Sequence, residues 1–92
     1  MSYRLLYLPR VLKDLRKLDP AIRGAARKAL ERIAIDPSIG KPLLYSLKGC
    51  YSFRTSSYRI IYKVRKKELI VLVVAVGHRR EVYEGLRKLL GK

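Results

Sequence analysis

Apolar and polar positions follow two different periods along this chain, and the changes of period divide it into elements. Tyr3 to Leu8 is a run of aromatic and aliphatic residues that predicts a short strand, apolar on both faces. Pro9 suits the first turn of a helix, where a missing N–H leaves no hydrogen bond unmade. Val11, Leu12, Leu15 and Leu18 then fall on one helical face, with Lys13, Arg16 and Lys17 mainly off it. Asp19-Pro20 ends this helix and opens the next, as N-cap and first helical residue. Ile22, Ala26, Ala29, Leu30 and Ile33 line the second helix, which ends at Asp36-Pro37. The two helices are expected to pack as an antiparallel hairpin, close together because the contact residues are small.

Residues 36–49 read as a connection, with two prolines and a glycine in residues 36–42, pinned to the core by Leu43, Leu44 and Leu47. Three strand segments follow: Cys50 to Thr55, Tyr58 to Arg65, and Glu68 to Val76. Ser56-Ser57 and Lys66-Lys67 are the turns of an antiparallel meander. Leu69 to Val76 has no polar face, which predicts a strand covered on both sides, with Gly77 ending it. Glu81 to Leu90 carries Val82, Leu86, Leu89 and Leu90 on one helical face. The expected fold is a single α+β domain over residues 1–92, in the order β-α-α-β-β-β-α. An N-terminal helical hairpin packs on a small, mainly antiparallel sheet, and a short C-terminal helix closes the chain.

Charge narrows the class of partner. The 92 residues carry 22 Lys+Arg against 7 Asp+Glu, a formal net charge of +15. Residues 1–50 hold 11 basic and 4 acidic side chains and residues 51–92 hold 11 and 3, so the excess covers the fold. Self-repulsion on this scale is relieved by a polyanion or an acidic partner, and nucleic acid is the first candidate. One cysteine and one histidine cannot build a zinc site or a disulfide scaffold. There is no glycine-rich phosphate loop, so no cofactor is expected. Cys50 reads as a small core residue. Leu69 to Val76 is too short to cross a bilayer, and Met1-Ser2-Tyr3-Arg4 does not resemble a signal peptide; a cytoplasmic protein is expected.

The hairpin of the second and third strands is the most informative stretch. A two-residue turn at Ser56-Ser57 sets Thr55 opposite Tyr58, Arg54 opposite Arg59, Phe53 opposite Ile60, and Tyr51 opposite Tyr62. Alternation puts Tyr51, Phe53, Tyr58, Ile60, Tyr62 and Val64 on the core face, and Ser52, Arg54, Arg59, Ile61 and Lys63 on the other. Directly opposed arginines repel. Two guanidinium groups aimed at one point suit a phosphate oxygen, which takes charge-assisted bidentate bonds. The plainer alternative is a solvated basic face with the arginines splayed apart.

Gly77-His78-Arg79-Arg80-Glu81-Val82-Tyr83 is the second constellation. Arg79 and Arg80 add cations, and Tyr83 offers a ring on which a base can stack. Against this, an aromatic residue near a helix start is often a core residue. His78 is able to move a proton near neutral pH, or is merely a hydrogen-bonded residue at a strand end. Glu81 reads as an acid at a helix N-terminus. The carboxylates do not cluster beside the arginines, so phosphodiester chemistry here must proceed without a metal. RNA permits that, since its own 2′-OH can attack the adjacent phosphate. Arg54, Arg59 and Arg79 would stabilise the charge that develops on phosphorus oxygens; Tyr83 and His78 would orient the nucleotide or transfer a proton.

Over nearly its whole length the chain resembles the RelE/ParE superfamily of type II toxin–antitoxin toxins. The Tyr3-Arg4-Leu5 strand, the helix pair ending at Asp36-Pro37 and the Leu47-Lys48-Gly49 step carry part of the likeness. The segment from Tyr51 to Tyr62 and the segment from Val76 to Tyr83 are the more specific parts. The resemblance implies a ribosome-dependent messenger-RNA endoribonuclease of the RelE-like branch, which enters the ribosomal A site among the ribosomal RNAs and blocks translation. By position, Arg54 and Arg59 correspond to basic residues of the active site, Arg79 to the arginine after the last strand, and Tyr83 to the tyrosine that stacks on the nucleotide. Ser52, Lys63, Arg80 and Lys48 fall among RNA-binding positions. An acidic antitoxin, forming a hetero-oligomer with the toxin, is the implied partner. One departure stands out: the nuclease branch carries a proton-abstracting lysine where this chain has Ser52. His78 is the candidate substitute, and Lys48 a second.

Two other readings share the fold. One is a ParE-like inhibitor of DNA gyrase that cuts nothing. The other is a nucleic-acid-binding or inactive protein of the same fold.

Overall fold

A computed structural model describes residues 2–55, 57–78 and 82–83. Strand β1 (Arg4–Tyr7) leads into helix α1 (Pro9–Arg16) and helix α2 (Pro20–Ile35). A 3₁₀ turn (Pro37–Ile39), strand β2 (Lys41–Pro42) and a second 3₁₀ turn (Tyr45–Leu47) come next. Strands β3 (Cys50–Thr55), β4 (Tyr58–Arg65) and β5 (Ile70–His78) complete the described elements. The five strands form one sheet in the order β1-β5-β4-β3-β2. β1 runs parallel to β5, and every other pair is antiparallel.

The expected order β-α-α-β-β-β-α is corrected on two counts. First, β2 is a further strand, in which Lys41 and Pro42 pair with Ser52 and Tyr51. A two-residue strand leaves no periodic signal, and a proline is tolerated there because β2 lies at the sheet edge. Second, the last element among the described residues is strand β5, not a C-terminal helix. Of the segment 81–90 read as that helix, only Val82 and Tyr83 are described; the rest lies outside the described residues.

The helices begin where the prolines allow. Pro9 and Pro20 each stand in the first turn, and the Asp19 carbonyl accepts the Arg23 N–H at 2.7 Å. The Asp19 side chain makes no capping bond, so its main chain alone does the capping. Val11, Leu18, Ala26, Ala29, Leu30 and Ile33 meet Ile60, Tyr62, Val71, Val73 and Val76 on one face of the sheet. Tyr62 is wholly buried in this layer and donates its hydroxyl to the Pro37 carbonyl at 2.7 Å, tying the end of α2 to the sheet. Burial pushes the Tyr62 hydroxyl up to about 12; the charge of Asp36 and Tyr51 adds to that, and the Gly40 amide opposes it.

The opposite face carries a smaller cluster of Leu47, Cys50, Ile61, Val74 and Val82. β5 is therefore covered on both sides, as its apolar run predicts, and Cys50 is the expected core residue. Ile61, which alternation puts among the polar residues of the hairpin, is fully buried in this second cluster. The third strand of the meander starts and ends two residues later than expected. The turn before it spans Lys66 to Leu69, closed by the Leu69 N–H on the Lys66 carbonyl at 3.2 Å, with Leu69 in the left-handed region at φ 56°.

One irregularity decides what faces the site. Ile61 pairs with Ala75, but Tyr62 pairs with Val73, leaving Val74 as an extra residue in β5. Such a bulge turns consecutive residues to one side and reverses the parity of the strand beyond it. Val74 and Ala75 both lie against the second cluster, while Val73 and Val76 belong to the helix side.

Candidate functional site

The β3–β4 hairpin has the register its sequence predicts: Arg54 opposite Arg59, Phe53 opposite Ile60, Tyr51 opposite Tyr62 and Thr55 opposite Tyr58. Arg54 and Arg59 therefore emerge side by side on the face away from the helices. Arg54 is exposed and Arg59 half-buried. No carboxylate among the described residues of the hairpin offsets the charge of the pair. Among the described residues the carboxylates are Asp14, Asp19, Glu31, Asp36 and Glu68, which lie on or next to the helices or in the turn after β4.

Tyr83 is brought against Arg59 of this pair. Val82 is buried in the second cluster, packed against the strip of backbone that Gly77 leaves uncovered. That anchor sets Tyr83 above the sheet. Arg59 donates from Nη1 to the Tyr83 hydroxyl at 3.0 Å, and its guanidinium carbon lies 5.5 Å from the centre of the ring. Ser52 Oγ is 3.1 Å from the same hydroxyl. Among the described residues, Arg59 Nε is buried without a hydrogen-bond partner. A buried donor left in that state costs about 1–3 kcal/mol.

The remaining candidates divide cleanly. Lys63 is exposed on the same face, opposite Cys50, and its charge works against the burial that raises the Cys50 thiol. Lys48 is exposed just after the second 3₁₀ turn. Ser52 is only 6% exposed, so its hydroxyl faces Tyr83 rather than solvent. Arg79 and Arg80 lie outside the described residues. His78 is not brought to the cluster. It pairs with Tyr58, and the two rings lie 4.3 Å apart between centroids. Tyr58 packs on the helix-side core, whereas Arg59 and its partner Gly77 face the other way.

Sequence reasoning missed the support of this site. Leu47, Cys50, Ile61, Val74 and Val82 form the apolar bed that carries Tyr83. A signal existed: Cys50 and Ile61 are apolar residues at alternating positions on a face otherwise read as polar.

Two arginines and a tyrosine ring on one sheet face are residue types suited to a phosphate and a planar base. Residues 5–83 match the family described as "ParE toxin of type II toxin-antitoxin system, parDE". Among curated proteins, the mRNA interferase toxin RelE of Escherichia coli is 35% identical over 95 residues, covering 98% of this chain and 100% of the relative. Two solved structures share the architecture with a TM-score of 0.79. One is an arginine-to-alanine double mutant of E. coli RelE in the free state, 32% identical over 98% of this chain and 99% of that one. The other is the RelBE2 toxin–antitoxin complex of Mycobacterium tuberculosis, 31% identical over 86% of this chain and 93% of that one. With fold, basic site and relatives in agreement, the chain belongs to the RelE/ParE family of type II toxin–antitoxin toxins, on its RelE-like side.

Proposed function

We propose that this protein is a toxin that cuts messenger RNA on the ribosome without a metal. The observation that carries the reading is the convergence of Arg54, Arg59 and Tyr83 on one sheet face whose described surroundings hold no carboxylate. In the proposed reaction the 2′-oxygen of the bound nucleotide attacks the adjacent phosphorus. A 2′-O–P bond forms, the bond from phosphorus to the 5′-oxygen breaks, and the products are a 2′,3′-cyclic phosphate and a 5′-hydroxyl. Tyr83 stacks on the base and sets the attack geometry. Arg54 and Arg59 hold the non-bridging oxygens as negative charge grows on them, the step at which fixed cations act most strongly. Arg79, by its position in the family pattern, joins them.

Lys48, Lys63 and Arg80 belong to the longer-range field that draws the RNA in, together with the net charge of +15. The 2′-hydroxyl gives its proton to solvent water and the departing 5′-oxygen takes one up from it, without His78, whose ring is held against Tyr58. An acidic antitoxin is the proposed protein partner. The likeness to a RelBE2 complex supports it, and so does the charge it would neutralise. Both substrate and partner imply action in the cytoplasm, and among the described residues no helix is long and apolar enough to cross a membrane.

Induction in cells, followed by mapping of new messenger 5′ ends and analysis of their end groups, tests the proposal. Codon-linked cuts bearing 5′-hydroxyls are expected. Intact messenger together with inhibited DNA supercoiling would replace this reading with the gyrase-inhibitor one, which shares the fold. RNA binding with no cut product would leave a binding protein only.

A further inference from the structure

Ser52 is the one residue among the described ones, tyrosine and cysteine aside, that is both polar and buried. It sits on β3 with Ile61 opposite it and belongs to the face that carries the second apolar cluster. At such a place packing alone favours an apolar side chain, and a buried hydroxyl persists only with a partner. Its partner is Tyr83, 31 residues further along the chain, with 3.1 Å between the two oxygens.

We infer that Ser52 is a positioning residue, which tethers the Tyr83 phenol to the sheet and sets the height of the ring above the phosphate-binding arginines. A guanidinium can only donate, so Tyr83 Oη is the acceptor in its bond from Arg59 Nη1 at 3.0 Å. That bond fixes the phenol oxygen on one side only. The Ser52 contact, from the neighbouring strand, fixes it on a second. Two anchors from β3 and β4, with the Arg59 guanidinium against the ring, hold a side chain whose described chain neighbour, Val82, is buried in the second cluster. The tether is a property of this chain's serine: a methyl group cannot make it, and a threonine can. The role assigned to Ser52 rests on the proposed RNA cleavage, but the tether itself exists in the free protein.

The test therefore has two arms. In the first, single-turnover cleavage on programmed ribosomes is compared for wild type, Ser52→Ala, Ser52→Thr, Tyr83→Phe and the Ser52→Ala/Tyr83→Phe double variant. Ser52→Ala is expected to be roughly 3–10-fold slower, the effect of one neutral hydrogen bond, with ribosome affinity unchanged. Ser52→Thr recovers most of the rate, and the double variant is no slower than Tyr83→Phe. Independent, multiplying losses, or an Ala variant as fast as wild type, would overturn the inference. In the second arm, free protein carrying ¹³Cζ-tyrosine is examined by NMR, with the Tyr83 signal assigned from Tyr83→Phe. The signal should move in Ser52→Ala and return in Ser52→Thr. An unmoved signal overturns the tether. A wild type that cuts no RNA would remove the cleavage reading, and the second arm would still decide whether the tether exists.

Discussion

Tyr58 and His78 stand directly opposite each other across β4 and β5, with ring centroids 4.3 Å apart. One step along each strand, Arg59 and Gly77 face the other side of the sheet. The extra residue Val74 causes this. Strict alternation in β5 would send His78 to the face of Arg59, and the bulge sends it to the helix side instead. A residue read from its chain neighbours as a proton carrier thus ends beside an aromatic ring.

His78→Ala is accordingly expected to change single-turnover cleavage by less than about threefold and to leave its pH dependence intact, within the effect of a lost surface contact. Rate measurements from pH 5 to pH 8, the range where histidine titrates, check this. A steep loss of rate in the variant would return His78 to the reacting set.

Arg59→Ala and Tyr83→Ala should each lower the cleavage rate by about 10²–10³, the usual effect of removing a group aimed at developing transition-state charge or at substrate orientation. Circular dichroism and thermal melts must accompany the kinetics, because Arg59 is half-buried and contributes packing as well as charge.

Arg54 is exposed, and its removal tests electrostatics with little structural disturbance. Arg54→Ala should weaken RNA binding at every sequence and reduce the slope of log affinity against log salt by about one. An unchanged slope would mean that Arg54 makes no phosphate contact.

Tyr62 and Gly40 predict stability rather than activity. A Cβ on Gly40 would overlap the Tyr62 hydroxyl, which donates to the Pro37 carbonyl. Tyr62→Phe leaves that carbonyl without this donor and is expected to cost about 1–3 kcal/mol. At about 4–8 °C per kcal/mol for a domain of this size, thermal melts will resolve the loss. Gly40→Ala should be destabilising in the same direction.

The same tyrosine sets a pH dependence. Its hydroxyl is raised to about 12 in the folded protein, so between the ordinary tyrosine value near 10 and about 12 the folded state holds a proton that the unfolded state has lost. Its contribution is fully present below about pH 10 and declines as pH rises towards 12. Denaturant unfolding across this range should show stability falling in the wild type and falling less steeply in Tyr62→Phe. Tyr7, also raised by burial, leaves a residual slope.

Local pattern was enough for α1 and α2, for the hairpin register and for the two-sided burial of β5, but not for how the chain ends. Each depends on short-range periodicity or on a two-residue turn, and the opposition of Arg54 to Arg59 follows from that turn alone. What lay beyond the sequence depends on contacts between distant segments. β2 exists only because β3 offers it an edge, and Leu69 takes a left-handed conformation to close a turn that two lysines mark only in part. The Val74 bulge sets the direction of His78, and Ser52 acquires its partner from a segment 31 residues away. Side-chain periodicity carries no information about a parity change or about which remote group a buried hydroxyl will meet. The net charge and the opposition of Arg54 to Arg59 are written along the chain, whereas the way Tyr83 is seated against Arg59 was decided by packing in three dimensions.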